Sequence, residues 1–202
     1  MRELLIATTN PGKLREIRSI LQGVPVALTT LTDFPDITAP AETGTTFSEN
    51  ARQKAYYYAR TTGRPTLAED SGFEVDALGG EPGVLSARYL REDASYDERF
   101  ADIYRRVREN AVSGSAARFV CALTVVNGAD ILFETRATVE GKLADTPAGS
   151  NGFGYDPIFL YPSYGKTFGE VSDEEKTAVS HRGQAIRAFR SYLLRTHRTQ
   201  RP

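Results

Sequence analysis

A chain of 202 residues with 40% hydrophobic content can bury roughly 70% of the surface its unfolded form exposes, so one packed domain is expected over residues 1–196 with a basic tail at 197–202. The 25 basic and 26 acidic residues leave a net charge of −1, which excludes the broad attraction that nonspecific nucleic-acid or anionic-membrane binding relies on. A single cysteine excludes an intramolecular disulfide framework; with the charged start MRELLIATTN and no apolar run near the ~18 residues of a membrane span, it predicts a soluble, cytoplasmic protein without nucleic-acid or membrane partners.

Along the chain, Leu4 to Ala7 form a short apolar strand, and Leu14, Ile17, Ile20 and Leu21 recur on one helical face. TTNPGK is therefore a strand-to-helix turn, and the helix should end near Gly23. From Phe47 to Arg60 a second helix is expected, with Ser48 as its cap, Ala51, Ala55, Tyr58 and Ala59 inward, and Gly63 and Pro65 closing it. TLAEDSGFEVDAL reads as a short strand ending in Glu69 and Asp70, then an alternating stretch at Phe73, Val75 and Ala77. GGEPG is a loop. Residues 94–112 are amphipathic, with Phe100, Ile103, Tyr104 and Val107 inward. Two β-rich runs flank Asn127-Gly128, a hairpin signal, and Phe119 to Val126 is apolar on both faces, as in a buried central strand. The last helix spans about Gly183 to Arg195, with Ile186, Phe189, Leu193 and Leu194 on one side and the fraying tail RTHRTQRP behind it. The pattern is one α/β domain with a mixed sheet.

Four constellations carry chemistry. In the opening turn a helix N-terminus offers unpaired N–H groups and partial positive charge, Lys13 stands in its first turn, Asn10 can cap, and Thr8 and Thr9 supply hydroxyls. That makes an anion cradle, although a plain capped turn with a surface lysine reads the same residues equally well; with one glycine it matches neither standard phosphate loop. Glu69 and Asp70, with Glu42 in PAETGTTFSEN, form an all-oxygen set that suits Mg²⁺ or Mn²⁺ better than zinc, or else are solvent-facing loop acids. In GSNGFGYDPIF the small residues let backbone approach a ligand, Phe153 and Tyr155 could stack on a planar ring, and Asp156 could accept a hydrogen bond from it; a glycine-rich turn with core aromatics is the plainer reading. Finally SDEEKTAVSHRGQAIRAF opens with the capping box Ser172 and Glu175, and Lys176, His181 and Arg182 gather donors ahead of the last helix.

In that order, ATTNPGK, TFSENA, EDSGFEVDALGGEPGVLSARY, GFGYDPIF and EKTAVSHRGQA, spanning residues 7–185, resemble the signatures of the non-canonical purine nucleoside triphosphate pyrophosphatases, the inosine/xanthosine triphosphatases or Ham1-like proteins. The resemblance implies an elongated two-lobed α/β fold around a long mixed sheet flanked by helices, the nucleotide in the cleft, and a homodimer. It implies Mg²⁺-dependent cleavage of the nucleotide to monophosphate and pyrophosphate, with Mn²⁺ as substitute. Thr8, Thr9, Asn10, Pro11, Gly12 and Lys13 would hold the triphosphate, and Glu42 and Asp70, with Glu69 beside them, the metal. Asp70 would also accept a proton, Lys54 and Ser71 would assist at the phosphates, and Phe153, Gly154, Tyr155 and Asp156 with Lys176, His181 and Arg182 would hold base and sugar. Those donors predict preference for a purine with a carbonyl at its six position over adenine. A Maf-like pyrophosphatase would centre its turn on serines and an arginine, a nucleotide sensor would lack the acids, and a nucleic-acid-binding module would show a basic stripe.

Overall fold

A computed structural model describes residues 1–110 and 115–199. Within them the chain folds as two compact units: Met1–Asp70, Cys121–Ala137 and the segment from Arg182 in one, Ser71–Val120 and Thr138–His181 in the other. Strands β1 (Glu3–Ile6), β2 (Ala27–Thr30), β3 (Thr66–Val75), β4 (Ala116–Asn127), β5 (Asp130–Leu143), β6 (Phe159–Tyr161) and β7 (Lys166–Thr167) form one sheet in the order β2-β1-β3-β4-β5-β6-β7. β1 runs parallel to β2 and β3, while β6 runs antiparallel to β5 and β7, so the sheet is mixed. The helices are α1 (Pro11–Ile20), α2 (Phe47–Thr62), α3 (Tyr96–Glu109), α4 (Asp173–Val179) and α5 (His181–Thr199).

In the first unit β1 is buried on both faces, as a parallel central strand must be. Leu4 and Ile6 join Ile17 and Leu21 of α1, Leu67, Leu123, Val125 and the α5 residues Ile186 and Phe189. Leu5 and Ala7 point the other way, onto Ala55, Tyr58 and Ala59 of α2. Each fully buried aliphatic side chain here contributes about 1.5–3 kcal/mol. In the second unit Phe100, Ile103 and Val107 of α3 pack with Phe73, Val75, Phe119, Phe159 and Phe168.

Several expected boundaries shift. α2 is capped by Thr46, whose side chain accepts from the Glu49 amide, and not by Ser48. Thr46 has Glu49 three residues on, which answers by accepting from the Thr46 amide and completes a capping box; Ser48 has Ala51 there and cannot. β3 does not end at the acids but continues through them to Val75, because Thr66 to Ala68 are buried on one side of the pair and Phe73 and Val75 on the other. The last helix begins at His181, so His181 and Arg182 stand in its first turn, and it runs to Thr199; the rest of the expected fraying tail, 200–202, lies outside the described residues. α3 starts at Tyr96 behind the cap Ser95; of the expected span to 112, residues 111–112 lie outside the described residues. The hairpin forms where expected, with Gly128 at φ +60° opening the two-residue turn between β4 and β5.

Candidate active site

The turn between β1 and α1 is capped as its residues dictate. Asn10 Oδ1 accepts from the Lys13 amide at 3.0 Å, Thr8 Oγ1 accepts from the Asn10 amide at 3.2 Å, and Pro11 occupies the first helical position, where no N–H is needed. Gly12 is buried and Thr9 exposed. The Lys13 ammonium reaches down to Glu69 Oε1 at 2.7 Å. Glu69, in β3, is 3% exposed; Arg182 Nε lies 3.6 Å from the same oxygen, and the Cys121 thiol lies 3.5 Å from the other. Burial alone would raise the Glu69 pKa, but Lys13, then Arg182 and Lys54, hold it well below the usual carboxylate range. Arg182 is itself buried and donates to Glu16 Oε2 at 2.6 Å, so Lys13, Glu69, Arg182 and Glu16 form one charge-balanced chain, buried except at Lys13.

A second chain runs beside it in the same unit. Lys54 Nζ donates to Glu42 Oε1 at 2.6 Å and to Asp70 Oδ1 at 2.9 Å. Burial would lower the Lys54 pKa, but Asp70, Glu42 and Glu69 outweigh it and raise it. Asp70 goes the opposite way from its neighbour Glu69: burial raises its pKa beyond what Lys54 offsets, and Glu42 adds to the rise. Adjacent acids are thus driven apart, Glu69 below and Asp70 above the ordinary carboxylate value.

The chemistry of the donor set bears on a metal. Among the described residues no group of three or more His, Cys, Asp or Glu side chains is placed to hold an ion. Glu69 is engaged by Lys13 and Arg182, whereas Glu42 and Asp70 converge on one ammonium. Two carboxylates fit Mg²⁺ or Mn²⁺ that complete their shell with water and substrate phosphates.

In the other unit the loop Phe153 to Asp156 is held by its own aspartate. Asp156 Oδ2 accepts from the Phe153 amide at 2.7 Å and from Lys176 Nζ at 2.6 Å, and the Lys176 ammonium lies 4.4 Å from the centre of the Phe153 ring. Gly152 is at φ +71°, and a Cβ there would fall 2.1 Å from Asp156 Oδ2. Gly154 sits beside the Tyr96 ring. Phe153 is half-buried, whereas Tyr155 is 3% exposed, stacked on Phe73 at 5.2 Å, with its hydroxyl donating to the Ser86 carbonyl. Tyr155 is a core residue. His181 is likewise buried and stacked on Phe119 at 4.8 Å. Ser71, half-buried, follows Asp70 on β3.

Within the first unit the structure gathers Lys13 with Glu69, Arg182 and Glu16, and Glu42 with Lys54 and Asp70; within the second it gathers Phe153, Asp156 and Lys176. Two participants escaped the sequence reading, Glu16 and Asn50. Both are polar residues on the inward faces of amphipathic helices, Glu16 next to Ile17 and Asn50 between Phe47 and Ala51, and that misplaced polarity is the signal by which they were detectable.

The family model described as "Ham1 family" matches residues 4–192. A protein of Geobacillus kaustophilus named dITP/XTP pyrophosphatase is 45% identical over 186 residues, 92% of this chain and 91% of its own. A Thermus thermophilus protein of the same name is 46% identical over 187 residues, 93% and 89% of the two chains. Among solved structures, a HAM1 protein from Coxiella burnetii superposes with a TM-score of 0.89 at 36% identity, covering 96% of this chain and all of its own, and the Staphylococcus aureus Ham1 protein with 0.85 at 35%, over 96% and 100%.

Proposed function

The chain belongs to the Ham1 family, and from that membership we propose that it hydrolyses non-canonical purine nucleoside triphosphates, ITP, dITP and XTP, to the nucleoside monophosphate and pyrophosphate, removing them from the nucleotide pool. The observation that carries the reading is Lys54 shared by Glu42 and Asp70, beside a capped turn that presents Lys13. Thr8 to Lys13 receive the β and γ phosphates through amides, hydroxyls and the Lys13 ammonium, and Ser71 and Lys54 assist. Asp70, whose carboxyl burial inclines towards protonation, takes the proton of the water that attacks the α phosphorus. Glu42 and Asp70 would hold Mg²⁺ or Mn²⁺, which would supply charge neutralisation across the phosphates. The loop Phe153 to Asp156, with Lys176, His181 and Arg182, favours a purine carrying a six-position carbonyl. Adenine would leave a buried donor unsatisfied, at about 1–3 kcal/mol.

Among the described residues no helix is long and apolar enough to cross a membrane. We place the enzyme in the cytoplasm, where the buried free thiol of Cys121 stays reduced, and as a homodimer, which sedimentation at micromolar concentration checks. The deciding experiment incubates the purified protein with ITP and Mg²⁺ and separates the products by chromatography. IMP and pyrophosphate are expected in equal amounts; orthophosphate as first product, with contaminating pyrophosphatase excluded, rejects the proposal.

A further inference from the structure

Asn50 is fully buried in the first turn of α2, yet it is polar and its side chain makes two bonds in opposite directions. Its Nδ2 donates to Asp70 Oδ2 at 3.1 Å, and its Oδ1 accepts from the Gly44 amide at 2.8 Å. Lys54, four residues on and on the same helical face, takes the other Asp70 oxygen and Glu42. A ring closes: Glu42, Lys54, Asp70, Asn50, Gly44, and along the backbone to Glu42. Gly44 carries an independent mark of this contact, since a Cβ there would fall 2.6 Å from Asn50 Oδ1 and 2.8 Å from Glu49 Cβ.

We infer that Asn50 is a positioning residue that locks the Glu42 loop to Asp70, holding the two carboxylates of the proposed site in fixed relation while Asp70 Oδ1 faces Lys54. The inference rests on the proposed function. Only a primary amide suits the position. A carboxylate would face Asp70 with a second negative acceptor, an aliphatic group would satisfy neither Asp70 nor the Gly44 amide, and a hydroxyl is too short to span both. Lys54 links the same two acids by charge, but an ammonium on a flexible stem does not fix the rotation of a carboxylate; a second, neutral bond to its other oxygen does.

The test uses Asn50→Ala and Gly44→Ala, the latter pressing on the amide while leaving it in place. With ITP and Mg²⁺, kcat should fall at least about tenfold in both while KM for ITP moves less than about twofold, since misplacing a reacting group by under 1 Å is enough for such losses. A second readout needs no activity: Asn50→Asp should lower the melting temperature, and adding Asp70→Asn, which exchanges amide and carboxylate, should restore most of the loss. Folded Asn50→Ala or Gly44→Ala proteins with wild-type kcat, or a double variant that melts as the sum of the singles, would overturn the role of Asn50. Should Asn50→Ala not fold, Gly44→Ala and the exchange pair decide alone. A wild-type protein that releases no pyrophosphate overturns the functional reading itself, whatever the exchange pair shows.

Discussion

The role proposed for Asp70 sets two demands in conflict, since the burial that raises its pKa and would suit it to accept a proton also makes its charged form costly. A carboxyl raised in the folded state binds its proton more readily there than in the unfolded chain, so its contribution to stability falls as pH climbs through the folded value and is unfavourable at neutral pH. Asp70→Asn should therefore lose activity by about 10²-fold or more, while its melting temperature at pH 7 equals or exceeds that of the wild type. An inactive variant that also melts lower would show that the carboxylate holds the fold. Arg182 presents the reverse case: buried against Glu16 and Glu69, it compensates two carboxylates at once. Removing one partner of such a chain strands the others, at about 3–5 kcal/mol. Arg182→Ala should lower the denaturation midpoint in urea accordingly, and the base-reading role proposed for it requires the ratio of kcat/KM for ITP over ATP to shrink at least about tenfold as well. Loss of stability with an unchanged ratio would confine Arg182 to supporting Glu69.

Elements differ in how openly the chain declares them. α1, α2 and α3 follow from helical periodicity and their caps, and the β4–β5 hairpin from Asn127-Gly128, because these signals are local. β2, β6 and β7, of four, three and two residues, carry no periodicity of their own and form because neighbouring strands offer an edge. The division of β3 at the acids fails for a related reason: Glu69 and Asp70 look like a strand terminus until their lysine partners are known, and those lie 16 residues or more away in sequence. Of the site, the capped turn and the capping box of α4 are local and legible; the pairing of Lys13 with Glu69 is tertiary and is not. The loop that carries Phe153 shows the two kinds of information meeting. Its glycines are visible, but what Gly152 must avoid, the Asp156 carboxylate, appears only in three dimensions. Gly152→Ala combines a left-handed backbone with that collision, so it should displace the loop and lower kcat/KM for ITP by about 10²-fold while the far-UV circular dichroism spectrum stays unchanged. Wild-type kcat/KM in that variant would remove the loop from the substrate site.

For the molecule as a whole, a net charge of −1 means that a polyanionic nucleotide is not gathered by long-range attraction; in the proposed function Lys13, Lys54 and a metal would meet it at short range. Both lysines are neutralised by acids of their own unit, Lys13 by Glu69 and Lys54 by Glu42 and Asp70. Neither lysine thus offers phosphate an uncompensated charge, and the two carboxylates proposed for a cation, Glu42 and Asp70, share an ammonium. Neither ligand alone is well provided for, whereas together the metal answers the carboxylates and the phosphates answer the metal. Binding of Mg²⁺ and of triphosphate should therefore be strongly coupled. A ligand present at a hundredfold its dissociation constant stabilises by about 2.7 kcal/mol, which for a domain of this size is a rise in melting temperature of roughly 5–10 °C. We expect millimolar Mg²⁺ alone and a non-hydrolysable ITP analogue alone to give little or no rise, and the two together the full one, abolished by EDTA and by Glu42→Gln. A full shift with Mg²⁺ alone would instead mean that the protein carries a complete metal site of its own, and the coupling of Mg²⁺ to triphosphate would fall.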